Sequence, residues 1–290
     1  MTGEPHRLRR TLLFVPANRP DRFAKALATG ADVVCIDLED GVADHDKDRA
    51  RREATRFLAD RGPTPAEIWL RINVPDSDLG RLDLEMLHNA SVQPEGLVIP
   101  KVANAESLAQ LSTELTGALR GTALVPVIES ARAMINVEAI AVADAQVSAL
   151  LFGAIDYSSD IGCAVEWDAL LYARSRVVLA AAAAGVDALD APVMDVSPGD
   201  SLAVECHRVV RLGFTGKAAI HPTHVGVIQR AFTPTPQDVT RALRVIAAFE
   251  AATNGVVLVD GLVVDRPVIT AARRTLRIAR ASGMSSTPSA

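Results

Sequence analysis

Charged residues recur in this chain directly after apolar, β-branched runs, at a nearly constant interval. VVCIDLED ends on Asp37, Glu39 and Asp40; IWLRIN carries Arg71; GLVIPK ends on Lys101; LVPVIES carries Glu129; ALLFGAIDY carries Asp156. The steps from Asp37 through Arg71, Lys101 and Glu129 to Asp156 are 34, 30, 28 and 27 residues. A closed parallel barrel of eight strand–helix units uses about 31 residues per unit. The interval therefore predicts one ring of polar side chains at the C-terminal ends of barrel strands, where such barrels keep their chemistry. An arginine, a lysine and several carboxylates converging on one mouth suit a metal-dependent site for an acidic substrate.

Eight apolar runs lie near 11–15, 33–37, 67–73, 96–100, 123–128, 148–153, 186–190 and 214–220. Segments of helical period separate them near 20–29, 47–60, 79–89, 104–119, 131–142, 167–184 and 201–212. The runs are apolar throughout, as expected of strands covered on both faces. Strand and helix in alternation predict an α/β fold, a (β/α)8 barrel, over residues 1–231. Residues 232–281 differ. Pro236, Gln237 and Asp238 suit the first turn of a helix. Asp260-Gly261 between two apolar runs is a strong hairpin signal. A basic helix follows, so this segment is expected to be a helix–hairpin–helix serving as a lid or an arm. The polar stretch 282–290 is expected to be a disordered tail.

With 290 residues, 49% of them hydrophobic, the chain can bury a sizeable core. A formal charge of −5 gives no sign of nucleic-acid binding. Cys35, Cys163 and Cys206 have neither metal-site nor disulfide spacing. The longest apolar run, VVLAAAAAGV at 177–186, falls short of a membrane span. The opening segment does not read as a signal peptide. A cytoplasmic protein without membrane partners is the expectation.

Glu129 and Asp156 stand one strand–helix unit apart. Side chains at equal height on strands about 4.8 Å apart can share one ion, and two carboxylates that leave water positions free suit Mg²⁺. Each could instead cap the helix that follows it. Arg71 lies between apolar neighbours and needs an anionic partner, either Asp37 or Glu39 or a substrate carboxylate held by its planar fork. Asp37, Glu39 and Asp40 together would repel one another without cations nearby. Lys101 and Lys217 are candidates for a Schiff base with a carbonyl substrate. Phe14 with Arg19, Arg22 and Lys25 after the first strand suits a nucleotide-like phosphate ligand.

RRTLLFVPANRPDRFAKALATGADVVCIDLEDGV, followed by RIN, VIPKV, VIES, FGAIDYSSDIG and GFTGKAAIHP, resembles the citrate lyase β-subunit-like family. Malyl-CoA and citramalyl-CoA lyases belong to it, within the phosphoenolpyruvate/pyruvate-type TIM barrels. The resemblance runs from about residue 9 to 280. It implies a TIM barrel, Mg²⁺ on Glu129 and Asp156, and Arg71 gripping a 2-oxo acid or its hydroxyacid precursor. It also implies that Phe14, Arg19 and Lys25 contact coenzyme A, and that Asp265 acts as a base in a neighbouring subunit's site. A homotrimer, or a hexamer of trimers, is implied too. Gly41 stands where alanine or serine is usual, and His224 where glutamine is common. The expected reaction is reversible carbon–carbon cleavage of malyl-CoA or citramalyl-CoA to acetyl-CoA and a 2-oxo acid, with Arg71, Asp265, Glu39 and Asp37 in the chemistry. Malyl-CoA hydrolysis, cleavage of a carrier-bound citryl group, and non-catalytic coenzyme A binding are the alternatives.

Overall fold

The structure is a computed structural model that describes residues 7–90, 92–252 and 256–284. It divides into two compact units, Arg9–Gln229 and a second formed from Arg230 onward.

The first unit is a closed parallel barrel whose strands follow one another in sequence order. They are β1 (Thr11–Pro16), β2 (Val33–Asp37), β3 (Glu67–Arg71), β4 (Gly96–Ile99), β5 (Ala123–Ile128), β6 (Ala149–Phe152), β7 (Asp187–Asp190) and β8 (Gly216–Ala219). Helices lie between them, among them Lys47–Asp60, Asp78–Ala90, Ala105–Glu114, Trp167–Ala184 and Ser201–Leu212. This is the (β/α)8 architecture that the spacing predicts. Alternate residues of each strand face the barrel axis. Leu12, Val33, Cys35, Trp69, Val98, Val125, Val127, Ala149, Leu151, Leu189 and Ala218 form one buried cluster there. Gly96 pairs with Trp69 in register, and a Cβ at Gly96 would meet the indole at 3.0 Å. Glycine at that position gives the large ring its space.

Charge closes the N-terminal end of the barrel. Arg9 donates to both carboxylate oxygens of Glu67 at 3.0 Å and reaches Asp187 at 3.5 Å. Its guanidinium lies 5.0 Å from the centre of the Trp69 ring, and Trp69 Nε1 donates to Glu67. The same strand face that carries Glu67 and Trp69 carries Arg71 two residues on, at the opposite end.

Lys217 sits one position off that face and is fully buried. Its ammonium donates to Asp190 Oδ2 at 2.7 Å, Ala191 O at 2.6 Å and Glu205 Oε1 at 2.7 Å. Asp190 also accepts from Arg174 Nε at 2.9 Å. Burial alone would raise the Asp190 carboxyl and lower Lys217; their mutual charge outweighs it, so Asp190 lies below its ordinary value and Lys217 above. The network ties β7 and β8 to the helices carrying Arg174 and Glu205. Lys217 is thus committed behind the barrel wall and does not reach the mouth, which removes it as a Schiff-base candidate.

Helical segments differ from the sequence expectation where they are short. The stretch 131–142 is two helices, Ala131–Ile135 and Val137–Ala141, and a further helix, Ala154–Ile161, follows β6 directly. Five to eight residues carry too little periodicity to be recognised. In the second unit, Thr235 caps the helix Pro236–Ala251 through a reciprocal capping box with Asp238. β9 (Val257–Val259) and β10 (Leu262–Val264) form an antiparallel hairpin. Its turn places Asp260 and Gly261 at φ 52° and 76°, the left-handed pair that such tight turns require. The helix Arg266–Ala281 completes the helix–hairpin–helix, whose core includes Val239, Val245, Ile269 and Leu276. Residues 282–284 are a turn after this helix; the rest of the expected tail, 285–290, lies outside the described residues.

Replacing Lys217 with methionine would leave Asp190 with Arg174 alone in a buried site. Lys217→Met should therefore cost about 3–5 kcal/mol in urea unfolding; a loss below about 1 kcal/mol would show the network to be dispensable.

Candidate active site

Asp37 and Arg71 are direct register partners at the C-terminal ends of β2 and β3. Arg71 Nε donates to Asp37 Oδ1 and Nη2 to Oδ2, both at 2.7 Å, a bidentate pair. Arg71 Nη1 lies 3.0 Å from Glu39 Oε2 and 3.8 Å from Asp40 Oδ2. The Phe14 ring packs against the guanidinium, with its centre 4.7 Å from Cζ. Burial opposes the charge on Arg71, but Asp37 and Glu39 outweigh it and hold the group above its ordinary value. Asp37 also accepts from the amides of Glu39 and Gly41, each at 2.9 Å. A Cβ at Gly41 would lie 2.5 Å from Asp37 Oδ2, so glycine here lets the backbone close onto the carboxylate.

Glu39 is 8% exposed, and its Oε2 makes no aligned hydrogen bond despite the nearby charge of Arg71. Burial pushes its carboxyl up to about 8; Arg71 pulls the other way, while Asp40, Glu129 and Asp37 add to the rise.

Glu129 follows β5 and is buried; Asp156 is 45% exposed at its side chain. Asp156 does not end a strand: β6 stops at Phe152, and Asp156 lies in the first turn of Ala154–Ile161. Gly153 makes that turn against Glu129, where a Cβ would stand 2.5 Å from the Glu129 Cβ. The two carboxylates converge on one ammonium. Lys101 Nζ donates to Asp156 Oδ1 and lies 3.6 Å from Glu129 Oε1, while the Lys101 amide donates to the same Glu129 oxygen at 2.7 Å. Lys101 takes a left-handed backbone, φ 53°, to turn that amide inward. Burial raises the Glu129 carboxyl, with Lys101 opposing it.

The ammonium marks a point that favours a cation between two hard oxygen donors, one buried and one open to water. That donor set fits Mg²⁺, which keeps several waters beside one or two carboxylates. Among the described residues, no group of three or more His, Cys, Asp or Glu side chains is placed to hold a metal ion. Lys101 is 40% exposed at its side chain and has solvent to move into. Its bond to Asp156 leaves it a counter-ion of the acid pair rather than an isolated nucleophile.

The remaining sequence candidates are less converged. Arg19 is exposed and pairs with Asp21 at 2.8 Å and 2.9 Å. Lys25 is exposed on the helix Phe23–Leu27. Phe14 packs under Arg71 rather than standing free. Asp265 caps Arg266–Ala281 in the second unit, accepting from the Val268 amide. Residues that the sequence did not single out also shape the site: Gly153, and the buried group Lys47, Asn73 and Asp83 behind the Leu38–Glu39 loop. Lys47 carried one available signal, since a lysine in a helix's first turn opposes the helix dipole and needs another reason to be there.

Residues 10–222 match the HpcH/HpaI aldolase/citrate lyase family. Mouse mitochondrial citramalyl-CoA lyase is 32% identical over 93% of this chain and 86% of its own length. The (3S)-malyl-CoA thioesterase of Cereibacter sphaeroides is 33% identical over 94% and 95%. The crystal structure of CitE from Mycobacterium tuberculosis with magnesium, acetoacetate and coenzyme A superposes at a TM-score of 0.81, with 32% identity over 94% of this chain and 98% of that one. The chain belongs to the HpcH/HpaI aldolase/citrate lyase family.

The raised Glu39 carboxyl has a consequence for stability. Its folded-state value lies above the ordinary 4.5, so its contribution is complete below that value and is lost as pH rises through about 8. Relative to Glu39→Gln, the wild-type melting temperature should fall across that window. Parallel melting profiles for the two proteins would mean that Glu39 is already ionised in the folded state.

Proposed function

We propose that this chain is an Mg²⁺-dependent carbon–carbon lyase acting on a 3-hydroxyacyl-CoA with a carboxylate beside the hydroxyl. Malyl-CoA and citramalyl-CoA are such compounds, and the products are acetyl-CoA and a 2-oxo acid. The observation that carries this reading is the pairing of two sites at one mouth. A buried arginine has one edge saturated by Asp37, and beside it Glu129 and Asp156 converge on a cation position.

Arg71 has five N–H donors; Asp37 takes two and Glu39 faces a third, so the remainder can grip a substrate carboxylate. Asp37 fixes the plane of the fork before substrate arrives, which lowers the ordering cost of binding. Phe14 covers one face of the guanidinium and excludes water from it. Mg²⁺ on Glu129 and Asp156 supplies a Lewis acid for the oxygen that becomes the new carbonyl, worth several kcal/mol in comparable sites. Glu39 faces an outer nitrogen of Arg71, and its burial raises its carboxyl above the ordinary value, which eases the negative charge set where an anionic substrate binds. Asp265, acting in a neighbouring subunit's site, is assigned as the base that takes a proton from the acetyl methyl group in the condensation direction. Arg19 and Lys25 are assigned to the coenzyme A phosphates, and Phe14 to its neighbourhood. Assembly as a trimer or hexamer, a barrel domain over 1–231 with 232–281 as its arm, and a cytoplasmic location belong to the same proposal. No described helix is long and apolar enough to cross a membrane.

The thioesterase relative supports a second reading, hydrolysis of malyl-CoA at the same site. A panel of acyl-CoA thioesters with Mg²⁺, scored for 2-oxo acid and for free thiol, separates the two. Oxo acid without free thiol supports the lyase; thiol release from malyl-CoA supports the hydrolase; neither product from any thioester overturns both. The methyl group that distinguishes citramalyl-CoA from malyl-CoA is worth only about 1–3 kcal/mol of discrimination, so both should be turned over to some extent.

Glu129→Gln and Asp156→Asn should each abolish Mg²⁺-dependent turnover and weaken Mg²⁺ binding by calorimetry at least about tenfold; unchanged Mg²⁺ affinity would remove these residues as ligands. Asp265→Ala should lower turnover by about 10²–10⁴-fold while the far-ultraviolet circular dichroism stays that of the wild type. Retained turnover would remove Asp265 as the base.

A further inference from the structure

Glu39 is held in place by its backbone. Its Oε2 has no aligned hydrogen bond, yet every main-chain polar group of Leu38 and Glu39 is bonded. The Leu38 amide donates to Arg71 O at 2.9 Å, and the Glu39 amide to Asp37 Oδ1 at 2.9 Å. Both carbonyls accept from Lys47 Nζ at 2.6 Å. Glu39 O also accepts from the Val42 amide, and Leu38 O from Asn73 Nδ2, each at 3.0 Å.

Lys47 is 5% exposed, and its third proton goes to Asn73 Oδ1 at 2.8 Å, so all its donors are used. Asn73 is held in turn. Its amide and Nδ2 both donate to Asp83 Oδ2, at 2.8 Å and 2.7 Å, and Arg51 Nε donates to Asp83 Oδ1 at 2.7 Å. Asp83 is fully buried. Lys47 opens the helix Lys47–Asp60, an end where a cation is disfavoured. It is burying a charge against two carbonyls and an amide, with no carboxylate among its bonded partners. That arrangement is costly unless those particular acceptors must be fixed.

We propose that Lys47 is a positioning residue: by clamping the Leu38 and Glu39 carbonyls to Asn73, it holds the Glu39 carboxyl against Arg71 at the mouth. Lys47 touches no reacting atom in this scheme. Its effect on the reaction passes through Glu39, and the proposal rests on the lyase reading of the site.

The test is a double-mutant cycle with Lys47→Met and Glu39→Gln, together with amide hydrogen exchange. Misplacing a reacting-site group by about 1 Å costs about 10²-fold, so Lys47→Met should lower kcat by about that factor with KM changed less than about threefold. The double variant should be no worse than the poorer single one within about threefold, because both remove the same placement. Multiplying losses would overturn the proposal. Exchange at residues 38–40 should speed up in Lys47→Met while exchange in β5 and β6 stays that of the wild type; unchanged exchange at 38–40 would overturn it as well. The exchange result needs no substrate, so failure of the lyase reading shows as absent turnover in the wild type with the clamp still measurable. Should Lys47→Met not fold, Asn73→Ser removes one of the three acceptors, and the same exchange and kcat criteria apply to it.

Discussion

The bidentate pair between Asp37 and Arg71 is the constraint around which the mouth of the barrel is arranged. Two charges at the ends of neighbouring strands, 2.7 Å apart at both contacts, fix the guanidinium plane. The rest follows from that plane. Phe14 packs on its face, Glu39 meets its outer nitrogen, and Gly41 lacks a side chain because its backbone closes on the same carboxylate. Asp37 serves as both the counter-charge of Arg71 and the acceptor for two loop amides. Strand register, loop shape and arginine orientation are therefore one coupled arrangement, which sequence order alone does not reveal.

The barrel interior is layered along its axis. Charge at the N-terminal end gives way to an apolar middle around Trp69 and Cys35, and then to the charged mouth. β3 shows this in three inward residues, Glu67, Trp69 and Arg71. Outside the wall, Lys217 and Asp190 make a second ionic arrangement with no access to solvent. The same residue types thus perform different work on the two faces of one sheet. Period-two alternation decides which: Lys217 lies one residue from the inward Ala218, and Asp190 one residue from the inward Leu189.

Much of this was legible in the sequence. The interval between polar strand ends gave the barrel. The Asp260-Gly261 pair marked the hairpin, and the isolated Arg71 marked a buried pair. Where the reading failed, a local pattern had a non-local answer. Asp156 looked like a strand end because FGAIDY continues an apolar run, but Gly153 breaks the strand and a two-turn helix begins. Lys217 and Lys101 looked equivalent as strand lysines; one faces the helices and the other the acid pair. Lys47 showed only that it sits at the wrong end of a helix, and Asn73 and Asp83 showed nothing; the bonds within this group span 8 to 35 residues, and nothing in a short window signals a carbonyl waiting for an ammonium.

Arg9, Glu67 and Asp187 seal the barrel at the end away from the mouth. With charge at that end and apolar side chains filling the middle, the interior is solid rather than a channel, so any ligand of the mouth must enter and leave by the same face.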